Sequence, residues 1–101
     1  MPDTDVAGLA GLTIDSFAAH VGERFALEHE DGSYGFTLAE CESRGQGFRR
    51  EAFALMFLGP AEPVLAQRIY RLRNPELGAL EIFLVPVGSD ASGTRYEATF
   101  T

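Results

Sequence analysis

The chain has one cysteine, two histidines and no lysine among its 101 residues. With Cys41 alone no intramolecular disulfide can form, and cysteine usage gives no sign of an oxidising compartment. No apolar run approaches the roughly 18 residues that a membrane-spanning helix needs. The opening Met-Pro-Asp-Thr-Asp has no basic segment followed by an apolar core, so no secretory leader is expected. Basic residues are scarce as well: eight stand against fifteen acidic ones, for a net charge of −7. That balance opposes the counterion-release binding that a nucleic-acid partner would use, so no nucleic acid and no membrane are expected as partners. A soluble, cytoplasmic protein is the expectation. That all eight basic residues are arginine, in a chain rich in alanine and glycine, reads as coding bias rather than selection for forked donors.

Chemistry-bearing motifs are missing too. Two histidines and one cysteine, without CxxC, HxxxH or HExxH spacing, make a poor metal set. Gly45-Gln46-Gly47 has neither a P-loop Lys and Ser/Thr nor a GxGxxG around it and reads as a connection. No metal, no cofactor and no catalytic residue is expected, hence no enzyme.

What is present is architecture. The length suits one domain with one core. Residues 1–11, small and acidic without a period, are expected to be a tail, and residues 12–101 a single β domain. Thr13, Asp15 and Ser16 resemble a helix cap, and Ile14, Phe17, Ala18 and Val21 share one helical face until Gly22 stops it. From Glu23 the period changes to two. Phe25, Leu27 and His29, then Tyr34, Phe36 and Leu38, alternate with smaller or polar residues around Asp31-Gly32, a strong hairpin signal. A tight turn there predicts Phe25 opposite Leu38, Leu27 opposite Phe36 and His29 opposite Tyr34.

After a connection at residues 43–47, Phe53, Leu55 and Phe57 alternate with Ala52, Ala54 and Met56, and Gly59-Pro60 ends the run. Its shortness and these boundaries favour strand over helix. Gln67 to Val87 is a hairpin around Asn74-Pro75-Glu76-Leu77-Gly78, with Pro86 expected at its end. Pairing Arg73 with Ala79 puts Tyr70, Leu72, Ile82 and Leu84 on the core face, Arg71 against Glu81, and Ile69 against Phe83. The apolar density of Leu80 to Val87 predicts a central strand covered on both faces. Gly88 to Gly93 reads as a loop, and Tyr96, Ala98 and Phe100 line a last strand. The fold class is therefore all-β: six antiparallel strands in a meander, closed into a small barrel or roll, with one short N-terminal helix.

Few residues suggest a site. His29 and Tyr34 share the core face, but the register brings them no carboxylate or nucleophile. Cys41, on the face of Thr37 and Ala39, reads as a small buried residue, and Glu40 and Glu42 as a solvated strand end. Arg68 shares a face with Tyr70 and Leu84, where it either binds an anion at the barrel mouth or snorkels to water. Ile69, Phe83 and Val85 are too apolar for a bare surface. Cover of part of this face by the helix is the simpler expectation and cover by another subunit the alternative, with Ile69 and the charges of Arg71, Glu81, Arg95 and Glu97 facing outward as a polar rim. The binding candidates are thus Arg68, Ile69, Arg71 and Phe83.

The succession Phe53-x-Leu55-x-Phe57-x-Gly59-Pro60, Leu65-x-Gln67-x-x-Tyr70, Leu77-Gly78, Phe83-Leu84-Val85-Pro86-Val87 and Tyr96-Glu97-Ala98-x-Phe100 resembles a small bacterial family classed as a domain of unknown function. The likeness runs from Phe17 to the C-terminus. It implies chains encoded singly, sometimes near genes for phage-tail-like collar proteins, and so a structural or assembly role; it supplies no catalytic residues. The function expected is a non-enzymatic protein-interaction module, monomeric or weakly homo-oligomeric, with an unidentified protein partner. A small-molecule-binding barrel is the alternative.

Overall fold

The computed structural model describes residues 12–46 and 51–100. The expected tail, 1–11, lies outside the described residues, as do 47–50 and 101. Helix α1 (Ile14–Ala18) precedes strands β1 (Arg24–His29), β2 (Gly32–Gln46), β3 (Glu51–Gly59), β4 (Arg68–Asn74), β5 (Gly78–Asp90) and β6 (Gly93–Phe100). The strands are antiparallel and close a barrel in the order β1-β2-β3-β6-β5-β4. The single meander read from the sequence is therefore two, β1-β2-β3 and β4-β5-β6, joined edge to edge. The link from β3 to β4 contains Pro60 and Pro63 and is too long for a tight hairpin, so β4 crosses to β1 and leaves β3 to pair with β6.

The β4–β5 hairpin has the predicted register, from Arg68 opposite Leu84 to Asn74 opposite Gly78. Tyr70, Leu72, Ile82 and Leu84 are all buried. Its turn is set by Asn74, whose Oδ1 accepts from the Glu76 and Leu77 amides at 2.9 and 3.1 Å, and by Gly78 at φ 79°, a left-handed geometry that glycine supplies without strain. β5 is longer than expected. The strand continues to Asp90 through a bulge between Pro86 and Gly88, so Pro86 lies inside it. Beyond Leu84, β5 is bonded on one side only, to β6, and there a proline is tolerated.

The first hairpin keeps its faces but slips by two residues. Phe25 stands opposite Phe36, Leu27 opposite Tyr34 and His29 opposite Gly32. An even slip leaves the apolar set inside, and it brings Leu38 level with the exit of the helix. There the Gly22 amide donates to Leu38 O at 2.7 Å and the Leu38 amide to Glu23 O at 3.0 Å. Past Leu38 the extra residue Ala39 makes a bulge that reverses the parity of β2. Cys41 consequently turns to the core, opposite to the face expected for it, and Glu40 and Glu42 point to water. The stretch read as a connection is also strand as far as Gln46, with a second bulge before Gly45 at φ 90°.

The strand buried on both faces is β3 rather than β5. Ala52 through Leu55 are buried in succession. The outward alanines are small, and near Ala54 an ion pair from Arg44 on β2 to Glu97 on β6, 2.9 Å long, spans β3. On β5 the outward Phe83 is 49% exposed and Val87 51%.

Each end of the barrel is closed differently. At one, α1 is short, its start tied by the Thr13 amide donating to Ser16 Oγ at 3.0 Å. Its Phe17 is fully buried, with ring centroids 5.9 Å from Phe53 and 5.7 Å from Phe100. Burying that ring is worth about 1.5–3 kcal/mol. The helical stripe differs from the one predicted: Phe17 and His20 are buried, Ala18 is exposed and Val21 is 46% exposed, because the helix stops before Val21. At the other end the segment of residues 60–67 crosses the opening. Leu65 is buried, its amide donates to Tyr96 Oη at 2.8 Å, and Tyr70 Oη donates to Ala66 O at 2.6 Å. Between the two closures Phe25, Phe36, Phe57 and Tyr96 fill the interior.

Candidate interaction face and grooves

The outer wall of β1, β4 and β5 holds most of the candidate residues. Along β4 the outward positions are Ile69, Arg71 and Arg73, and along β5 they are Ala79, Glu81 and Phe83. Ile69 and Phe83 are directly paired, and Ile69 is 60% exposed. Helix α1 packs at the barrel end, against β2 and β3, and not on this wall, which corrects the expectation of helix cover for Phe83 and Val85, while Ile69 faces outward as expected.

Arg68 sits on the inward row, but at the strand end, where it is exposed and its guanidinium carbon lies 5.2 Å from the centroid of the Tyr70 ring. The head reaches water across an aromatic face, a cation–π arrangement. Arg68, Ile69 and Arg71 line one groove of about 500 Å³ with Glu28, His29, Glu30, Tyr70 and Glu81. Phe83 stands beside it without lining it.

The predicted pairing of Arg71 with Glu81 exists as a register pair and not as an ion pair. Arg71 Nε lies 3.9 Å from Glu28 and makes no hydrogen bond, while Glu28 bonds Arg73 Nε at 2.5 Å. One carboxylate thus serves two arginines. Arg95 turns to Asp90 at 3.4 Å and Glu97 to Arg44, so the expected rim is split among separate pairs. Hydrogen bonds from Ser92, joined by one from Arg95, hold the Asp90 carboxyl below the ordinary carboxylate range.

His29 contacts two tyrosine rings, Tyr34 edge-on at 5.7 Å and Tyr70 stacked at 6.2 Å. Its Nδ1 accepts from the Asp31 amide at 3.3 Å, so it serves the turn. Burial raises the Tyr70 hydroxyl above its ordinary pKa. Cys41 Sγ faces Ile14 O at 3.6 Å, and burial, helped by Asp15, pushes its thiol up and away from the thiolate that a nucleophile needs.

His20 belongs to a polar tie at the helix end. Its Nδ1 donates to Glu23 Oε1 at 2.8 Å, with Glu76 at 3.7 Å. Buried Asn74 donates to the same Glu23 oxygen at 3.2 Å and to Arg24 O at 3.3 Å. The bond from His20, followed by that from Asn74, holds the Glu23 carboxyl below its ordinary value. His20, Glu23 and Glu76 are the group among the described residues best placed for a metal, with ligand atoms all within 4.8 Å of one another. Here the His20 Nδ1 proton is donated to Glu23, whereas a metal would need that nitrogen unprotonated, so the bond and an ion on the same atom exclude each other. The His-x-x-Glu spacing was the one sequence signal of this tie.

A model of the family described as a domain of unknown function (DUF6916) matches residues 12–100, from the residue before the helix cap to the end of β6. The chain belongs to that family. No curated protein and no solved structure matches it. The DUF6916 match begins ahead of Phe17, so helix and barrel lie within the family's unit. No helix of the described residues is long and apolar enough to cross a membrane.

Proposed function

We propose that this DUF6916 domain is a non-enzymatic, cytoplasmic protein-interaction module that docks through the outer wall of β4 and β5. In the finer form of this reading it is an assembly component of a bacterial phage-tail-like or other multiprotein complex, the role implied by the resemblance set out above. One observation carries the proposal. Ile69, Phe83 and Val87 are each about half exposed or more on the outside of a barrel whose interior is already filled. A large aromatic left half in water beside a β-branched partner, with Arg71, Glu28 and Glu81 around it, has the arrangement of an apolar interface centre inside a polar rim. The other reading, a barrel enclosing a small molecule, draws no support from an interior occupied by Phe25, Phe36, Phe57 and Tyr96.

The test uses the tagged chain recovered from cells that naturally carry it, beside its Phe83→Asp and Ile69→Asp variants, by native mass spectrometry and light scattering. The wild type is expected to hold a stoichiometric protein neighbour, or a second copy of itself, that both variants lose while their melting temperatures stay within a few degrees. Retention of the neighbour by both variants would sink the reading. So would unfolding of the variants, which would place these side chains in the domain's own core.

A further inference from the structure

At the middle of β1 the outward Ala26 stands opposite Gly35 on β2, so the surface is low there, with Arg73 on β4 at its other side. Over this low floor lies a groove of about 540 Å³, bounded by Arg24, Ser33, Arg73 and Pro75. That volume falls within the ~300–1,000 Å³ range of small-molecule sites.

Arg24 differs from the other described arginines. Arg44, Arg71, Arg73 and Arg95 each lie within 4.0 Å of a carboxylate, and Arg68 lies over Tyr70. Among the described residues Arg24 has no such partner, although the chain carries a net charge of −7. Its guanidinium lies on the bare backbone of Gly35, where a Cβ would come within 2.8 Å of Nη2. Its main chain is clamped by Asn74, which donates to its carbonyl at 3.3 Å. A free forked cation is thus seated beside a floor made of one methyl group and exposed backbone.

We propose that this groove binds a small organic acid: a monocarboxylate with a flat apolar body, its carboxylate on Arg24 and its body over Ala26 and Gly35. The guanidinium fork matches a carboxylate with two parallel hydrogen bonds. A peptide strand is disfavoured, because both edges of β1 are already bonded, to β2 and to β4, which leaves no main-chain ladder to extend. A polyphosphate is disfavoured because Arg73 is engaged by Glu28, which leaves Arg24 as the one free cation of the groove among the described residues.

The test is an amide-resolved magnetic-resonance titration of the full chain with 3-phenylpropionate, its neutral amide and phenethylamine. The acid is expected to give saturable shifts at Ala26, Gly35 and Gly78. The amide should bind about tenfold more weakly, the difference made by one charge-assisted contact, and the amine should not bind. Added salt should weaken the acid alone. Arg24→Gln should abolish the preference for acid over amide. Gly35→Ala, whose methyl would meet only the mobile end of Arg24, should weaken acid binding and leave the rest of the spectrum in place. Phe83→Asp should leave the titration unchanged, so this site stands or falls apart from the β4–β5 face. The proposal is overturned if the acid gives no saturable shift, if acid and amide bind alike, or if Arg24→Gln keeps the preference.

Discussion

The two ends of the barrel solve one problem with different chemistry. Six strands leave an opening at each end through which water would reach the core. At the helix end an aromatic plug, Phe17, is held by a charged tie of His20, Glu23 and Asn74. At the other end an aliphatic lid, Leu65, is held by neutral bonds to Tyr96 and from Tyr70. A plug contributes mainly by filling space, and a tie contributes by leaving no buried donor or acceptor unmatched. Of the two ties only the first contains a carboxylate, that of Glu23.

The largest break in this comparison is expected from Phe17→Ala, which removes a ring touching Phe53 and Phe100 and costs about 3–5 kcal/mol in a denaturant melt. Leu65→Ala, at the margin of the core, should cost nearer 2 kcal/mol, the low end for such truncations. If the two costs come out equal, the lid bears as much of the core as the plug. Ile82→Ala, in the middle of the barrel, should cost about 2–5 kcal/mol whichever end is weaker.

Smaller effects sharpen the contrast between the ties. Asn74→Ala leaves the Glu76 and Leu77 amides and the Arg24 carbonyl without their partner, and should cost about 1–3 kcal/mol. Tyr96→Phe strands the Leu65 amide and should cost about 1 kcal/mol. The smallest effect is that of pH. The folded Glu23 pKa lies below its ordinary 4.5. Its contribution is therefore complete above that value and lost as pH falls through the lowered folded pKa. Melts taken downward from pH 5 should show this loss. Asp90, also held below its ordinary range, adds a slope of the same sign, so Glu23→Gln should reduce the slope without abolishing it; a slope unchanged in that variant would assign the titration elsewhere.

Much of the barrel was legible because strand periodicity reports which side chains face inward. Tyr70, Leu72, Ile82 and Leu84 were readable from one hairpin and a turn that Asn74 and Gly78 specify locally. The slip of the first hairpin escaped, since registers two residues apart bury the same face and only the bonds from Leu38 to Gly22 and Glu23 separate them. Bulges escaped too. A single extra residue, Ala39, exchanged the faces of Cys41 and of Glu40 and Glu42, and nothing local in Leu-Ala-Glu-Cys announces it. Of the candidate site residues, Ile69 and Phe83 were legible as apolar side chains on an outward row. Arg24 was not, because its isolation among the described residues follows from where their carboxylates finally lie.

By itself the sequence determined that the chain forms six antiparallel strands, which residues of β4 and β5 face inward, the β4–β5 register and the lack of an intramolecular disulfide, for these depend on period two, on local turn chemistry and on a residue count. Tertiary structure alone decided that β3 pairs with β6 and β4 with β1, and that the helix closes an end of the barrel rather than covering the Ile69 and Phe83 wall. It also decided that, among the described residues, Arg24 has neither a carboxylate nor an aromatic ring as partner. Those outcomes depend on contacts between segments far apart in the chain, and no local pattern states which of several equally apolar faces will meet.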